Sequence, residues 1–347
     1  MRPYRRGLIV GKFAPLHRGH DLLISRARAS CDELIVFSYS EPEFAECPPA
    51  RRRAWLRALY PEVTSHVFSA AEPLADLPPL PRNSDSWDSH RHFVARAYLA
   101  LIAKPLDAVF TSEDYGDGFA HVLSDAFIAH GLQTTRVAHV EVDRARLQVP
   151  VSATQIRADV HRYRDVLPPR VYADFVKTVC LIGGESTGKS TLAERLAREH
   201  NTVFVSEFGR TLWEQRGGKL RREDFLTIAM TQIANEEAAK LQARRFLFAD
   251  TSPLTTLFYS QDSYSETDEQ LVHLSHRAYD HWFLCAPDFE FVQDGTRRDA
   301  EFARRQHRWY LDVFAQRRIP FSLLTGSIEA RVQQASRVLL ARQRPCA

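Results

Sequence analysis

Two short stretches combine residue types at spacings that suit chemistry on a polyphosphate. The first is GKFAPLHRGH at residues 11–20, where Gly11, Lys12, Phe13, Pro15, His17, Gly19 and His20 share one turn behind a short apolar run. Gly11 and Gly19 permit close backbone approach, so a triphosphate can lie on the turn and against the N-terminus of a helix that begins near His20. His17 and His20 then become donors to phosphate oxygens. Such a turn suits nucleotidyl transfer, in which an already anionic substrate oxygen attacks the α-phosphorus of ATP and pyrophosphate departs. Alignment and charge neutralisation are what remain for the protein. Taken singly, a partly buried histidine bonded to backbone is the commoner feature.

The second stretch, GGESTGKST at 183–191, fits GxxxxGKS with Gly183, Gly188, Lys189 and Ser190 in the fixed places. Gly184, Glu185, Ser186, Thr187 and Thr191 complete a loop whose N–H groups wrap an anion, with a helix starting near Lys189 aimed at the same phosphates. Lys189 reaches the β and γ phosphates, and the Ser190 hydroxyl ligates Mg²⁺. An apolar strand before the loop and a helical pattern after it supply the context this motif requires.

Further candidates flank both turns. FLFADTS (246–252) ends an apolar run in Asp250, which would hold magnesium through water or, alternatively, cap a helix beginning near Pro253. VSEFGR (205–210) offers Glu207 and Arg210; the carboxylate orients or deprotonates a sugar hydroxyl, or simply pairs with the arginine. DGTRRDAEFARRQ (294–306) supplies arginines to neutralise a transferring phosphoryl group, Arg297 first, or to cover a solvated helix face. VSATQIRAD (151–159) reads as a helix capped by Ser152, with Thr154 and Arg157 in its first turns. That is an ordinary surface helix or a second clamp on the triphosphate.

These residues need elements to position them, and the chain alternates short aliphatic or β-branched runs with longer helical periodicities, the pattern of parallel α/β units. The strands expected in the first half are 7–13, 33–39, 63–70, 107–112 and 134–142; in the second they are 178–184, 202–208, 246–252, 289–295 and 320–326. A length of 347 residues favours two domains. The Pro pair in RYRDVLPPRVYADFVK (162–177) puts the boundary near 170, giving domains 1–170 and 171–347. PPLPRNSDSWDSH (78–90) reads as a loop long enough to bind something.

Composition narrows the partners. A formal charge of +3 with both signs interspersed resembles no nucleic-acid-binding arm. Five scattered cysteines without CxxC spacing favour a reducing cytoplasm and no structural zinc. No window of eighteen uncharged apolar residues is present, so neither a signal peptide nor a membrane span is expected.

As a set, GKFAPLHRGH, TSEDYG, SATQIR, GGESTGKST, EFGR, ADTS and DGTR fall in the order found in the bifunctional NadR type, and the chain resembles that family over nearly its whole length. The resemblance implies a Rossmann-like nucleotidyltransferase domain followed by a P-loop kinase domain. It implies that the second phosphorylates nicotinamide riboside with ATP and that the first adenylylates the resulting mononucleotide (NMN) to NAD, both with Mg²⁺. Another phosphorylated acceptor, such as nicotinate mononucleotide, would keep every first-half motif. By the same resemblance His17, His20, Lys12 and Arg157 handle ATP phosphates, and Ser152 and Thr154 belong to the clamp. Glu207, Asp250 and the P-loop carry over to the kinase half. Trp87 stands where the family has an aromatic near the pyridinium ring, or else anchors its loop to the core. The chain departs from the family in two ways. It begins almost directly on its first strand, where family members often carry a helix-turn-helix segment, and Ser206 replaces a frequent Trp, removing an aromatic platform. Expected partners are small molecules, with no nucleic acid and no membrane, and with a homo-oligomer left open.

Overall fold

A computed structural model describes residues 2–288 and 298–341. The chain divides into two compact units, Met1–Tyr172 and Ala173–Ala347.

The first unit holds a five-stranded sheet of β1 (Tyr4–Gly11), β2 (Cys31–Ser38), β3 (Thr64–Val67), β4 (Ala108–Thr111) and β5 (Ala138–Glu141), in the order β3-β2-β1-β4-β5 with every pair parallel. β1 is central because its run of aliphatic residues tolerates burial on both faces: Leu8 and Ile9 are wholly buried between β2 and β4. One face of the sheet sends Leu8, Ile35, Phe37 and Val109 against Phe93, Phe119 and Phe127. After β1 the chain goes first to one side of it and then returns to the other. The switch lies between β1 and β4, and open parallel sheets form ligand crevices beyond the carboxyl ends of strands at such a point.

The second unit repeats the logic with β6 (Lys177–Gly183), β7 (Phe204–Val205), β8 (Phe246–Asp250), β9 (His281–Cys285) and β10 (Ser322–Leu324), in the order β10-β9-β6-β8-β7, again all parallel. Two-residue alternation along β6 separates two cores. Val179 and Leu181 face Leu192, Leu196 and Leu339, whereas Cys180 and Ile182 face Phe225, Leu254, Leu257 and Phe314. The P-loop leaves the carboxyl end of β6, directly at the switch point.

The expected strands differ from the observed ones in several places, most of them in length: β3 has four residues instead of eight and β10 three instead of seven. HWFLC (281–285) forms β9, which the reading of the sequence did not include, while the expected strand at 289–295 lies outside the described residues. β7 is two residues long instead of seven, and β5 four instead of nine, since pairing extends only as far as β8 and β4 offer partners. The expected loop at 78–90 ends early. Ser86 accepts a hydrogen bond from the Ser89 N–H and starts the helix Trp87–Leu101. Cys31, Cys47, Cys180 and Cys285 are buried free thiols, and no helix among the described residues is long and apolar enough to cross a membrane.

Candidate functional site

Two cavities stand at the carboxyl rims of the two sheets. The first, of about 370 Å³, is lined by Gly11, Lys12, Phe13, His17, Gly19, His20 and Ser152, so the histidine turn and the start of the SATQIR helix meet in one place. The turn leads into the helix Arg18–Ser30, two residues earlier than expected, because His17 itself is the N-cap. Its Nδ1 accepts from the Gly19 N–H at 3.0 Å, and His20 Nδ1 accepts from the His17 N–H at 3.3 Å. This is a capping box in which imidazoles take the places of Ser and Glu. Since both Nδ1 atoms accept backbone protons, the single proton of each neutral ring sits on Nε2. The rings are tilted 38° to one another with centroids 4.0 Å apart, and Phe13 closes on His20 at 4.7 Å.

Gly19 is required by this cap. A Cβ at residue 19 would lie 2.8 Å from His17 Cε1, inside any permitted contact. Electrostatics keeps the pair neutral: burial, then the positive charges of Arg146 and Arg157, lower His17 to about 4. His20 falls well below the usual range through burial, His17 and Arg146. Burial and Arg157 also lower the Lys12 ammonium.

Arg157 ties the two sequence motifs together. Its Nη1 donates to the Ala14 carbonyl at 2.5 Å and its Nη2 to Thr154 Oγ1 at 2.9 Å, and the guanidinium lies over the Phe44 ring at 4.1 Å. Ser152 caps the helix Ala153–Ala158 in a reciprocal box with Gln155. Thr154 and Arg157 adjoin the turn without lining the cavity, whereas the cap Ser152 and the first helical residue Ala153 do line it. Beneath the turn, wholly buried Arg52 donates to Ser38 Oγ at 2.9 Å and to the Lys12 carbonyl at 3.3 Å.

Trp87 lines the cavity, half exposed and stacked on Tyr115 at 4.6 Å. It is therefore not an anchor into the core. Glu113, Asp143 and Arg146 also line the cavity, the last paired to Glu113 at 2.8 Å, and reading of the sequence missed all three. TSEDYG carried the only signal, by lying just past a strand end.

The second cavity, of about 500 Å³, is lined by Glu185 to Thr191, by Glu207 and Arg210, and by Trp213 and Gln232. Gly183 closes β6, and Gly188 in the left-handed region caps the helix Lys189–Glu199. A Cβ on Gly184 would meet the Ala303 carbonyl at 2.4 Å, so glycine there lets the helix Ala300–Arg317 press on the loop. Lys189 Nζ donates to the Gly184 carbonyl at 2.9 Å, as does Thr187 Oγ1 at 2.8 Å. Glu185 accepts from Tyr259 OH at 2.9 Å and from the Arg298 N–H at 2.7 Å.

Asp250 ends β8, and Ser252, not Asp250, caps the helix Pro253–Ser263, which removes the alternative role for the aspartate. Its carboxylate is 2% exposed and hydrogen-bonded to Ser190, and Oδ1 has no hydrogen-bond partner among the described residues. Burial raises its pKa against the pull of Lys189. Glu207 is raised too, by burial and then by Asp250. Arg297 lies outside the described residues; among the described arginines of that segment, Arg298 lines the cavity. Ser206 is exposed, as its polarity suggests, but the cavity is not stripped of aromatics, because Trp213 lines it from the helix Phe208–Gln215.

A family model described as an AAA domain matches residues 178–331. The trifunctional NAD biosynthesis/regulator protein NadR of Salmonella typhimurium is 29% identical over 314 residues, 84% of this chain and 71% of the relative. NadR of Escherichia coli K12 is 29% identical over 315 residues with the same coverage. Among solved structures, NadR in complex with NR aligns with TM-score 0.68 at 20% identity, covering 94% of this chain and 95% of that one. NadR in complex with NAD and AMP-PNP aligns with TM-score 0.69 at 19% identity, covering 94% and 92%.

Proposed function

We propose, for a chain homologous to the NadR proteins over most of its length, a bifunctional enzyme of NAD biosynthesis: a ribosylnicotinamide kinase joined to a nicotinamide-nucleotide adenylyltransferase. The observation that supports this reading is that each unit sets a glycine-bearing turn at the carboxyl rim of its own parallel sheet, beside its own cavity. The first unit is read as a Rossmann-like nucleotidyltransferase fold and the second as a P-loop kinase.

In the kinase unit the loop N–H groups and Lys189 take the β and γ phosphates of ATP. Glu207, with its pKa raised, accepts the proton of the riboside 5′ hydroxyl as that oxygen bonds to the γ-phosphorus and the bond to ADP breaks. Arg210 and Arg298 balance the spreading charge. Magnesium fits the oxygen donors present, since the orphaned buried Oδ1 of Asp250 and the Ser190 hydroxyl suit a hard cation; when bound it neutralises phosphate charge.

In the adenylyltransferase unit a phosphate oxygen of the mononucleotide bonds to the α-phosphorus of ATP, and the bond to pyrophosphate breaks. His17 and His20 donate from Nε2 to the triphosphate, because their Nδ1 atoms are committed to the helix cap. Lys12 and Arg146 supply charge, Arg157 holds the turn in shape, and Ser152 closes the other side. Trp87 on Tyr115 offers a π face to a cationic pyridinium.

Incubation with ATP, Mg²⁺ and nicotinamide riboside, followed by mass spectrometry, tests both halves. Mononucleotide and dinucleotide are expected together. Mononucleotide alone would overturn the reading of the first unit, and neither product the reading of the second.

A further inference from the structure

Gln232 sits on the helix Arg222–Lys240, 1% exposed, on the face it shares with Phe225 and Ile228 at helical spacing. All three line the kinase-unit cavity. The Phe208 N–H donates to one terminal atom of its amide at 3.0 Å, so that atom must be Oε1. The other atom, Nε2, is therefore a donor, and it is buried with no hydrogen-bond partner among the described residues. An amide donor left so is destabilising, a cost that a bound acceptor atom would remove. Phe208 follows Glu207 directly in the chain, which puts the Gln232 amide at the Glu207 end of the cavity. Trp213, Leu220 and Phe225 provide its apolar flank.

We infer that Gln232 is a specificity-determining residue that donates from Nε2 to a ribose hydroxyl of the acceptor nucleoside. The inference rests on the riboside kinase reading above. It assigns the sugar to the polar ground beside Glu207 and leaves the apolar flank to the base. The Gln232 amide is bonded to the Phe208 backbone and not to the loop Gly183–Thr191, so the residue is assigned to acceptor binding and not to ATP.

The test pairs Gln232→Glu with sugar analogues. Glutamate keeps an oxygen for the Phe208 N–H and exchanges the amide donor for a second carboxyl oxygen, which also brings an ionisable group beside Glu207. Steady-state phosphorylation of nicotinamide riboside by the variant should show the acceptor KM raised about tenfold, with the KM for ATP unchanged. In the wild-type protein one of the 2′-deoxy and 3′-deoxy ribosides should carry a similar penalty, and on that analogue the variant should lose nothing further. Equal use of riboside and both deoxy analogues by the wild-type protein would overturn the inference while leaving the kinase reading intact. So would additive losses in the variant. Should the variant fail to fold, the wild-type analogue series decides alone. A wild-type protein that phosphorylates no riboside would sink the kinase reading and this inference with it.

Discussion

A methyl group at residue 19 would stand 2.8 Å from the His17 ring, so the glycine and the histidine work as one device. Gly19→Ala should push the ring off its cap, costing about 1 kcal/mol of stability. Adenylylation should fall with it while riboside phosphorylation holds, measurable as a lower urea midpoint together with slower pyrophosphate release. The same ring predicts a pH effect. His17 titrates at about 4 when folded and near 6.5 when unfolded, so between these values the unfolded chain binds more protons and stability drops as pH falls. By pH 4 the loss should reach about 3 kcal/mol from this residue alone. His17→Asn keeps a cap acceptor that does not titrate, and urea midpoints at pH 7 and pH 4.5 should lie closer together in that variant than in the wild type. Equal pH sensitivity in the two proteins would rule out His17 as the cause.

At the scale of elements, the helix Ile328–Ala341 holds the P-loop in place through one wholly buried arginine. Arg331 donates to the carbonyls of Thr187, Ala286 and Gly326 at 2.8–2.9 Å, and pairs with Asp288. Arg331→Met should leave three acceptors and a carboxylate without their donor, destabilising the second unit by about 3 kcal/mol. Thermal unfolding and the KM for ATP should both register it. An unchanged KM for ATP in the folded variant would show that the loop keeps its shape without the tether. No local pattern announces Arg331, which lies 144 residues beyond the loop residue it serves. The loop itself was legible, because its glycines and Lys189 fall within one short stretch at a fixed spacing, between an apolar strand and a helical pattern. β9 was less so. HWFLC is short and opens on a histidine, and its identity as a strand comes from the pairing of Val179 to Gly183 with His281 to Cys285. Gln232 and Trp213 reach the cavity only because two helices pack beside Glu207, a fact of tertiary structure that spacing along the chain does not carry.

At the scale of the whole molecule, each unit has its own sheet, its own core and its own turn, so each site can be removed by a substitution within its own unit. Lys189 makes its bond to Gly184 at the mouth of a loop whose fold rests on Arg331 and on the glycines, so Lys189→Ala should leave the unit folded. Phosphorylation should fall by about 100-fold or more, as expected for loss of a charge aimed at the transferring group. Adenylylation of supplied mononucleotide should be unchanged. His20→Ala should do the reverse, and it tests more than a lost contact, because His20 Nδ1 also accepts from the His17 backbone. His20→Asn can restore that acceptor without an Nε2 donor. If the donor is what matters, His20→Asn should recover stability but not pyrophosphate release. Recovery of both would mean that His20 serves the helix cap alone. In a mixture of Lys189→Ala and His20→Ala proteins, dinucleotide formation from nicotinamide riboside should return, since free mononucleotide made by one protein can be adenylylated by the other. A mixture that makes mononucleotide but no dinucleotide would contradict independent sites.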